Sequence, residues 1–129
     1  MIISHKHKFV FVKTAKTGGS TIENILGQHL GSKDIASGSA YIDTKDVSPT
    51  AKRNWQKIDY PDKLGGYSHL PASHIYKTFF NGQRPKDYFV FTIERNSYDK
   101  AVSHWWWHTH AKRKMKQMQA SKIVIVPFA

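Results

Sequence analysis

Two basic turns in this chain carry residue types suited to binding a phosphate-like anion. The first contains Lys16, the glycines Gly18 and Gly19, and the hydroxyl residues Ser20 and Thr21. Glycine lets backbone N–H groups approach an anion, hydroxyl groups donate further hydrogen bonds, and lysine adds positive charge. The same Ser and Thr could instead cap the N–H groups of a following helix. Local chemistry therefore leaves two interpretations open, a helix cap or an anion site.

The second basic turn contains Arg95, and Ser103 follows it in about the second turn of an expected helix. A guanidinium and a hydroxyl placed in this way could bind one phosphate together. Taken alone, Arg95 fits a surface arginine paired with Glu94 or Asp99 at least as well, and Ser103 fits an ordinary helix position.

The elements around these turns follow the order strand, helix, irregular segment, helix, strand, helix. The first strand is almost continuously apolar, as in a strand covered on both faces of a parallel sheet, and the order favours an α/β domain with a mainly parallel sheet. Both turns would then lie at the carboxyl edge of that sheet, where such folds bind ligands. The expected elements are strands at 8–13 and 87–93, helices at 20–30 and from Pro71 to about 81, and a short strand or loop at 64–69.

A long helix is expected over 98–119, starting at about Ser97, and a last strand over 122–129. We expect one face of the long helix to be buried, formed by Tyr98, Ala101, Val102, Trp105 and Trp106. Residues 32–62 show little periodicity and read as an irregular or weakly helical insert, with Trp55 as a possible anchor. The whole chain, 1–129, is predicted to form a single domain.

Composition narrows the classes of partner. The chain has 20 Lys plus Arg against 9 Asp plus Glu, a formal net charge of +11, which favours anionic partners such as sulfated or phosphorylated ligands or nucleic acid. Because it contains no cysteine, disulfides and thiolate metal sites are excluded. No apolar run is long enough for a signal peptide or a membrane span, so we expect a soluble, cytoplasmic protein without a membrane partner.

Three segments, in the right order, resemble the sulfotransferases that use 3′-phosphoadenosine 5′-phosphosulfate (PAPS). Residues 15–21, A-K-T-G-G-S-T, resemble the family's 5′-phosphosulfate loop, usually written P-K-T-G-G-T-S. Residues 88–103, Y-F-V-F-T-I-E-R-N-S-Y-D-K-A-V-S, are similar to its 3′-phosphate signature, F-x-F-x-x-R-N-P-Y-D-R-x-V-S. Residues 68–72, S-H-L-P-A, are similar to the histidine segment of the carbohydrate-sulfotransferase branch.

The resemblance implies a P-loop-like three-layer fold, and transfer of a sulfuryl group from PAPS to the hydroxyl of a carbohydrate-like acceptor, with PAP as product and no metal. Lys16 would contact the bridging oxygen, and His69 would be the general base, with Glu94 as a weaker alternative. Arg95 and Ser103 would hold the 3′-phosphate. The donors to the 5′-phosphate would be Thr17, Gly18, Gly19, Ser20 and Thr21.

The chain departs from the family pattern in sequence and in length. Ala15 and Ser97 replace prolines, Ser97 being able to cap the following helix, and Lys100 stands where Arg is common. The chain stops at Ala129, whereas family members usually continue past the 3′-phosphate helix. A module that binds PAPS or PAP without transferring sulfate, or one completed by self-association, is therefore the alternative.

A third hypothesis is a basic protein that binds a polyanion or nucleic acid through residues 111–116, although we expect no nucleic-acid partner. His104 and His108 have the i, i+4 spacing of a helical metal site, but no acidic or cysteine partner lies at a fitting spacing. We expect them to pack around the neighbouring tryptophans.

Overall fold

The computed structural model describes residues 1–37, 48–56 and 69–111. The chain divides into two compact units, Met1–Glu94 and Arg95–Ala129, and each is described by itself. The single domain expected over 1–129 stays a prediction. The C-terminal strand expected at 122–129 and the strand or loop expected at 64–68 lie outside the described residues, as do parts of the insert and of the long helix.

The first unit is an α/β structure. Its strands are β1 (Ile2–Ser4), β2 (Phe9–Phe11), β3 (Ile35–Ala36) and β4 (Phe89–Phe91), and its helices are α1 (Gly19–Gly27), α2 (Pro49–Gln56) and α3 (Ala72–Phe79). Strand β3 and helix α2 lie within the segment read from the sequence as irregular or weakly helical; the helix agrees with that reading, and the strand was not expected.

The sheet is mixed, and the expectation of a mainly parallel sheet is wrong. Its order is β3-β1-β2-β4. Strand β1 pairs antiparallel with β2 and with β3, and among the described strands only β2 and β4 form a parallel pair. The reason is the short connection between β1 and β2, residues 5–8, which is long enough for a hairpin but not for the crossover that a parallel pair needs.

A buried carboxylate fixes this hairpin turn. Asp34 accepts hydrogen bonds from the backbone N–H groups of His5 (2.7 Å), Lys6 (3.1 Å) and Gly31 (2.8 Å), and from the Ser4 hydroxyl (2.8 Å). The four donors compensate for removing the carboxylate from water. The turn is thereby tied to the chain that leads into β3.

Strand β2 is covered on both faces, as its continuous apolar sequence predicts. Val10 belongs to one buried cluster with Leu70 and with Ile75 of α3. Phe11, which points to the other face, belongs to a second cluster with Ala51 of α2. The second cluster is completed by residues of α1 and its C-terminal extension, Ile22, Leu26 and Leu30.

The second unit begins with helix α4 (Ser97–Trp106), followed by a π-helical turn, Trp107–Ala111. Asn96 is the N-cap, and its side chain accepts a hydrogen bond from the Tyr98 N–H at 3.0 Å. The expectation that Ser97 caps the helix is wrong, because Ser97 is already its first helical residue. Proline is favoured at this first position, which agrees with the proline of the family signature.

The expectation of a buried face on α4 is also wrong. Tyr98 is 84% exposed, Val102 65%, Trp105 60% and Trp106 53%, and Ala101 is exposed as well. An apolar stripe predicts burial only if another element covers it, and among the described residues α4 has no buried residue.

Within the described part of the chain, no helix is both long enough and apolar enough to span a bilayer.

Candidate functional site

The loop between β2 and α1 contains two residues with a positive φ. Lys16 and Gly18 both adopt left-handed conformations, with φ of 63° and 82°. Alternation of right- and left-handed residues is how successive N–H groups converge on an anion. Gly18 requires glycine for its φ, and a Cβ built on it meets no atom within 4 Å, so the space in front of it is open.

The N-cap of α1 distinguishes between the two interpretations of this turn. Gly18 occupies that position and makes no side-chain cap, while Ser20 and Thr21 lie inside the helix. The first N–H groups of a helix generally have no partner within it, although the Thr21 N–H donates to the Gly18 carbonyl oxygen at 3.0 Å. A glycine cap offers no side-chain partner to the N–H groups of Gly19 and Ser20, which suit a ligand or water. The geometry therefore fits an anion site better than a Ser or Thr cap.

The threonines of the loop fix its backbone. The Thr17 hydroxyl donates to the Thr14 carbonyl oxygen at 3.1 Å, and the Thr14 hydroxyl donates to the carbonyl oxygen of Ile93 at 2.9 Å. Since a hydroxyl has one proton, Thr17 can serve a phosphate through its backbone N–H rather than through the hydroxyl expected from the sequence.

Gly19 is needed for packing against Lys13. A Cβ at this position would lie 2.7 Å from the Cγ of Lys13, closer than non-bonded carbon atoms approach. The aliphatic stem of Lys13 passes against the Gly19 backbone on its way to α1. Glycine here lets strand end and helix start lie against each other.

We expect Gly19→Ala to lower the free energy of unfolding by about 1–3 kcal/mol, because the added methyl group overpacks this contact. Helix propensity alone would favour Ala by up to about 1 kcal/mol, so the sign of the change is diagnostic. Urea unfolding measures it. In a Lys13→Ala background the penalty should largely disappear, and a penalty that is the same in both backgrounds would contradict the contact.

A buried ionic cluster lies beneath the loop. The Glu23 carboxylate of α1 binds the Lys13 ammonium at 2.5 Å and the Met1 α-amino group at 2.6 Å, and all three groups are almost completely buried. The Met1 amino group also donates to the Ser37 hydroxyl at 2.6 Å. Burial lowers the pKa of this amino group to about 6, although the Glu23 carboxylate opposes the shift.

His69 lies beside the start of the loop. Its Nδ1 is 3.2 Å from the Lys13 carbonyl oxygen, and since a carbonyl only accepts, Nδ1 carries the proton in this bond. The neutral ring then has its lone pair on Nε2, which is the form that a general base requires. Partial removal of the ring from water lowers the pKa of His69 below its usual value of 6.5, the Lys13 carbonyl opposes this, and the Lys13 ammonium lowers the pKa further.

The lowered pKa of His69 has a consequence for stability. Between the folded-state pKa and 6.5 the unfolded chain binds the proton and the folded chain does not, so the free energy of unfolding rises with pH across that window. The Met1 amino group titrates nearby with the same sign. We therefore expect the difference in unfolding free energy between wild type and His69→Gln, measured by urea titration, to grow in favour of wild type from pH 5 to pH 7. A difference that does not change with pH would contradict the lowered pKa.

The predicted 3′-phosphate residues lie in or next to the second unit's first helix. Arg95 is exposed, directly before the N-cap of α4, and Ser103 is half-buried within α4. Glu94, the alternative base, is exposed at the end of the first unit. The structure thus brings His69 to the loop of Lys16, while the contribution of Arg95 and Ser103 stays a prediction.

The histidine pair of α4 is close in space. The rings of His104 and His108 have centroids 4.4 Å apart, and the His110 ring stacks on Trp106. In the described ranges, no group of three or more His, Cys, Asp or Glu side chains is placed to hold a metal ion.

Comparison with protein-family models, with curated proteins and with solved structures gives no match to this chain.

Sequence reasoning missed two residues of this site, Lys13 and Glu23. A lysine at the end of an apolar strand and a glutamate on the inner side of the next helix are each unusual, and their pairing is a signal that could have been found. The glutamate lies four positions from Gly19 and from Gly27 in the helix, so the three share one face.

Proposed function

We propose that this protein is a PAPS-dependent sulfotransferase that acts on the hydroxyl group of a carbohydrate-like acceptor. The observation that supports it most is the hydrogen bond of 3.2 Å between His69 and the Lys13 carbonyl oxygen. It joins the segment that resembles the histidine motif to Lys13, two residues before the segment that resembles the phosphosulfate loop. The P-loop-like three-layer arrangement of the family belongs to this proposal.

The residues of the loop suit the donor's 5′ end. The open N-cap at Gly18 and the first N–H groups of α1 offer donors and a favourable helix dipole to a phosphate. Lys16, held by the loop at a positive φ, supplies the charge that offsets negative charge on the bridging oxygen. PAPS supplies the activated sulfuryl group.

The transfer is a displacement in which the acceptor oxygen forms a bond to sulfur and the bond between sulfur and the bridging phosphate oxygen breaks. His69 accepts the acceptor's proton at Nε2, which its Nδ1–H bond leaves unprotonated. Arg95 and Ser103 bind the 3′-phosphate. Most of the rate enhancement in such reactions comes from alignment and charge stabilisation.

The experiment is the transfer of labelled sulfate from PAPS to a panel of glycans by the purified protein. We expect a labelled glycan in at least one case, and labelled product that depends on both PAPS and acceptor. Tight binding of PAP with no transfer to any acceptor would favour the binding module instead. Binding of DNA that PAP does not compete away would favour the polyanion-binding alternative.

A further inference from the structure

Lys13 contacts three parts of the candidate site, although no motif includes it. Its ammonium binds Glu23 of α1 at 2.5 Å. Its stem lies against Gly19, at the start of the same helix. Its carbonyl oxygen accepts the hydrogen bond of His69. One buried residue thus connects the start of the loop after β2, the start of α1 and the candidate base.

The ion pair between Lys13 and Glu23 links the start of the anion-binding loop to the helix that follows it. Lys13 is the second residue of the loop between β2 and α1, and Glu23 lies in the second turn of α1. Their side chains are 3% and 1% exposed. An ion pair removed from water holds its geometry more strictly than one on the surface, because breaking it leaves an uncompensated buried charge. The two ends of the loop are therefore fixed relative to each other.

Lys13 also affects the tautomer and the pKa of His69. The carbonyl of Lys13 selects the Nδ1–H tautomer, as second partners of functional histidines commonly do. The charged groups that act on the pKa of the ring are the Lys13 ammonium, the Met1 amino group and the Glu23 carboxylate. The ammonium and amino group disfavour a proton on His69, and the carboxylate favours one.

We propose that Lys13 is a positioning residue that keeps the anion-binding loop and the His69 ring in a single mutual arrangement. This inference rests on the proposed function for its consequence in catalysis. Its structural content, a loop and a histidine fixed by one lysine, can be measured without any turnover.

The test compares Lys13→Met, which keeps the stem and backbone but removes the charge, with Glu23→Gln and with Lys77→Met. Lys77 is exposed on α3, so its variant matches the lost charge without touching the cluster. NMR titration gives the pKa and tautomer of His69, whose signals are assigned by comparison with His69→Gln. Calorimetry gives the affinity of each variant for PAP.

We expect Lys13→Met to raise the pKa of His69, because it removes a positive charge that disfavours the proton, and Glu23→Gln to lower that pKa, with no change in Lys77→Met. The affinity for PAP should fall at least about tenfold in Lys13→Met, equivalent to about 1.4 kcal/mol. If Lys13 and Glu23 served only in packing, their two variants would not shift the pKa of His69 in opposite directions.

An unchanged His69 pKa in Lys13→Met, or PAP affinity equal to that of Lys77→Met, would overturn the inference. If Lys13→Met does not fold, the pKa of His69 in Glu23→Gln decides alone, and an unchanged value there overturns it. If wild type does not bind PAP, the proposed function fails, while the titrations still show whether Lys13 positions His69.

Discussion

Replacing Lys16 by Ala is expected to lower kcat for sulfuryl transfer from PAPS by about 10²–10³-fold, the usual effect of removing one group aimed at developing charge. Both Lys and Ala carry a side chain at the positive φ of this position, so the backbone strain of the loop is the same in the two proteins. The lost factor then reports the ammonium group rather than a distorted loop. Initial rates at saturating PAPS and acceptor measure it.

The matched control is Lys33→Ala, since Lys33 is exposed between α1 and β3 and outside the loop. It removes the same charge from a chain of net charge +11. A loss of rate in Lys33→Ala equal to that in Lys16→Ala would mean that overall charge, and not Lys16, drives the effect.

Replacing His69 by Gln is expected to lower kcat by about 10²–10⁴-fold, the range for losing a general base. Glutamine can still donate a hydrogen bond to the Lys13 carbonyl oxygen but has no nitrogen that accepts a proton near neutral pH. In wild type, kcat should fall as pH decreases below the pKa of His69, which lies under 6.5. The acidic limb should be absent from the residual rate of His69→Gln.

The control for this substitution is His74→Gln, a second exposed histidine that lies on α3. It should keep the wild-type rate and the wild-type acidic limb. If His69→Gln keeps the wild-type rate and the acidic limb, His69 is not the general base, and Glu94 is the first alternative.

The parts of the fold that could be predicted are those set by local patterns. The apolar run of β2 and the glycine-containing turn after it specify a strand that leads into a helix, and both were found. Strand β1 was missed, although Ile2 and Ile3 are β-branched and a polar turn follows them. Its pairing makes the sheet mixed, and pairing depends on contacts between segments rather than on the pattern of either one.

The candidate site was predictable only where it coincides with a motif. The roles proposed for Lys16, Gly18 and His69 follow from their residue types: a positive charge, a backbone that tolerates a positive φ, and a side chain that accepts a proton near neutral pH. The ionic cluster of Lys13 and Glu23 is different, because each charge is acceptable inside the protein only when the other is present. A reading that takes residues one at a time places both on the surface.

Helix α4 shows that an apolar pattern can predict burial where the structure has none. Its apolar stripe at Tyr98, Val102 and Trp105 has the period of a buried helix face, yet these side chains are exposed. Periodicity states which residues share a face and not whether that face is covered.

The central claim, a site for a nucleotide with phosphates at both its 3′ and 5′ ends, is tested most directly by thermal unfolding in the presence of PAP. A ligand at 100 times its Kd stabilises the folded state by about 2.7 kcal/mol, so we expect a clear rise in Tm for wild type that grows with PAP concentration. Lys16→Ala and Arg95→Ala should lose most of this rise, while Lys33→Ala keeps it. No stabilisation of wild type, or equal stabilisation of all four proteins, would contradict the account.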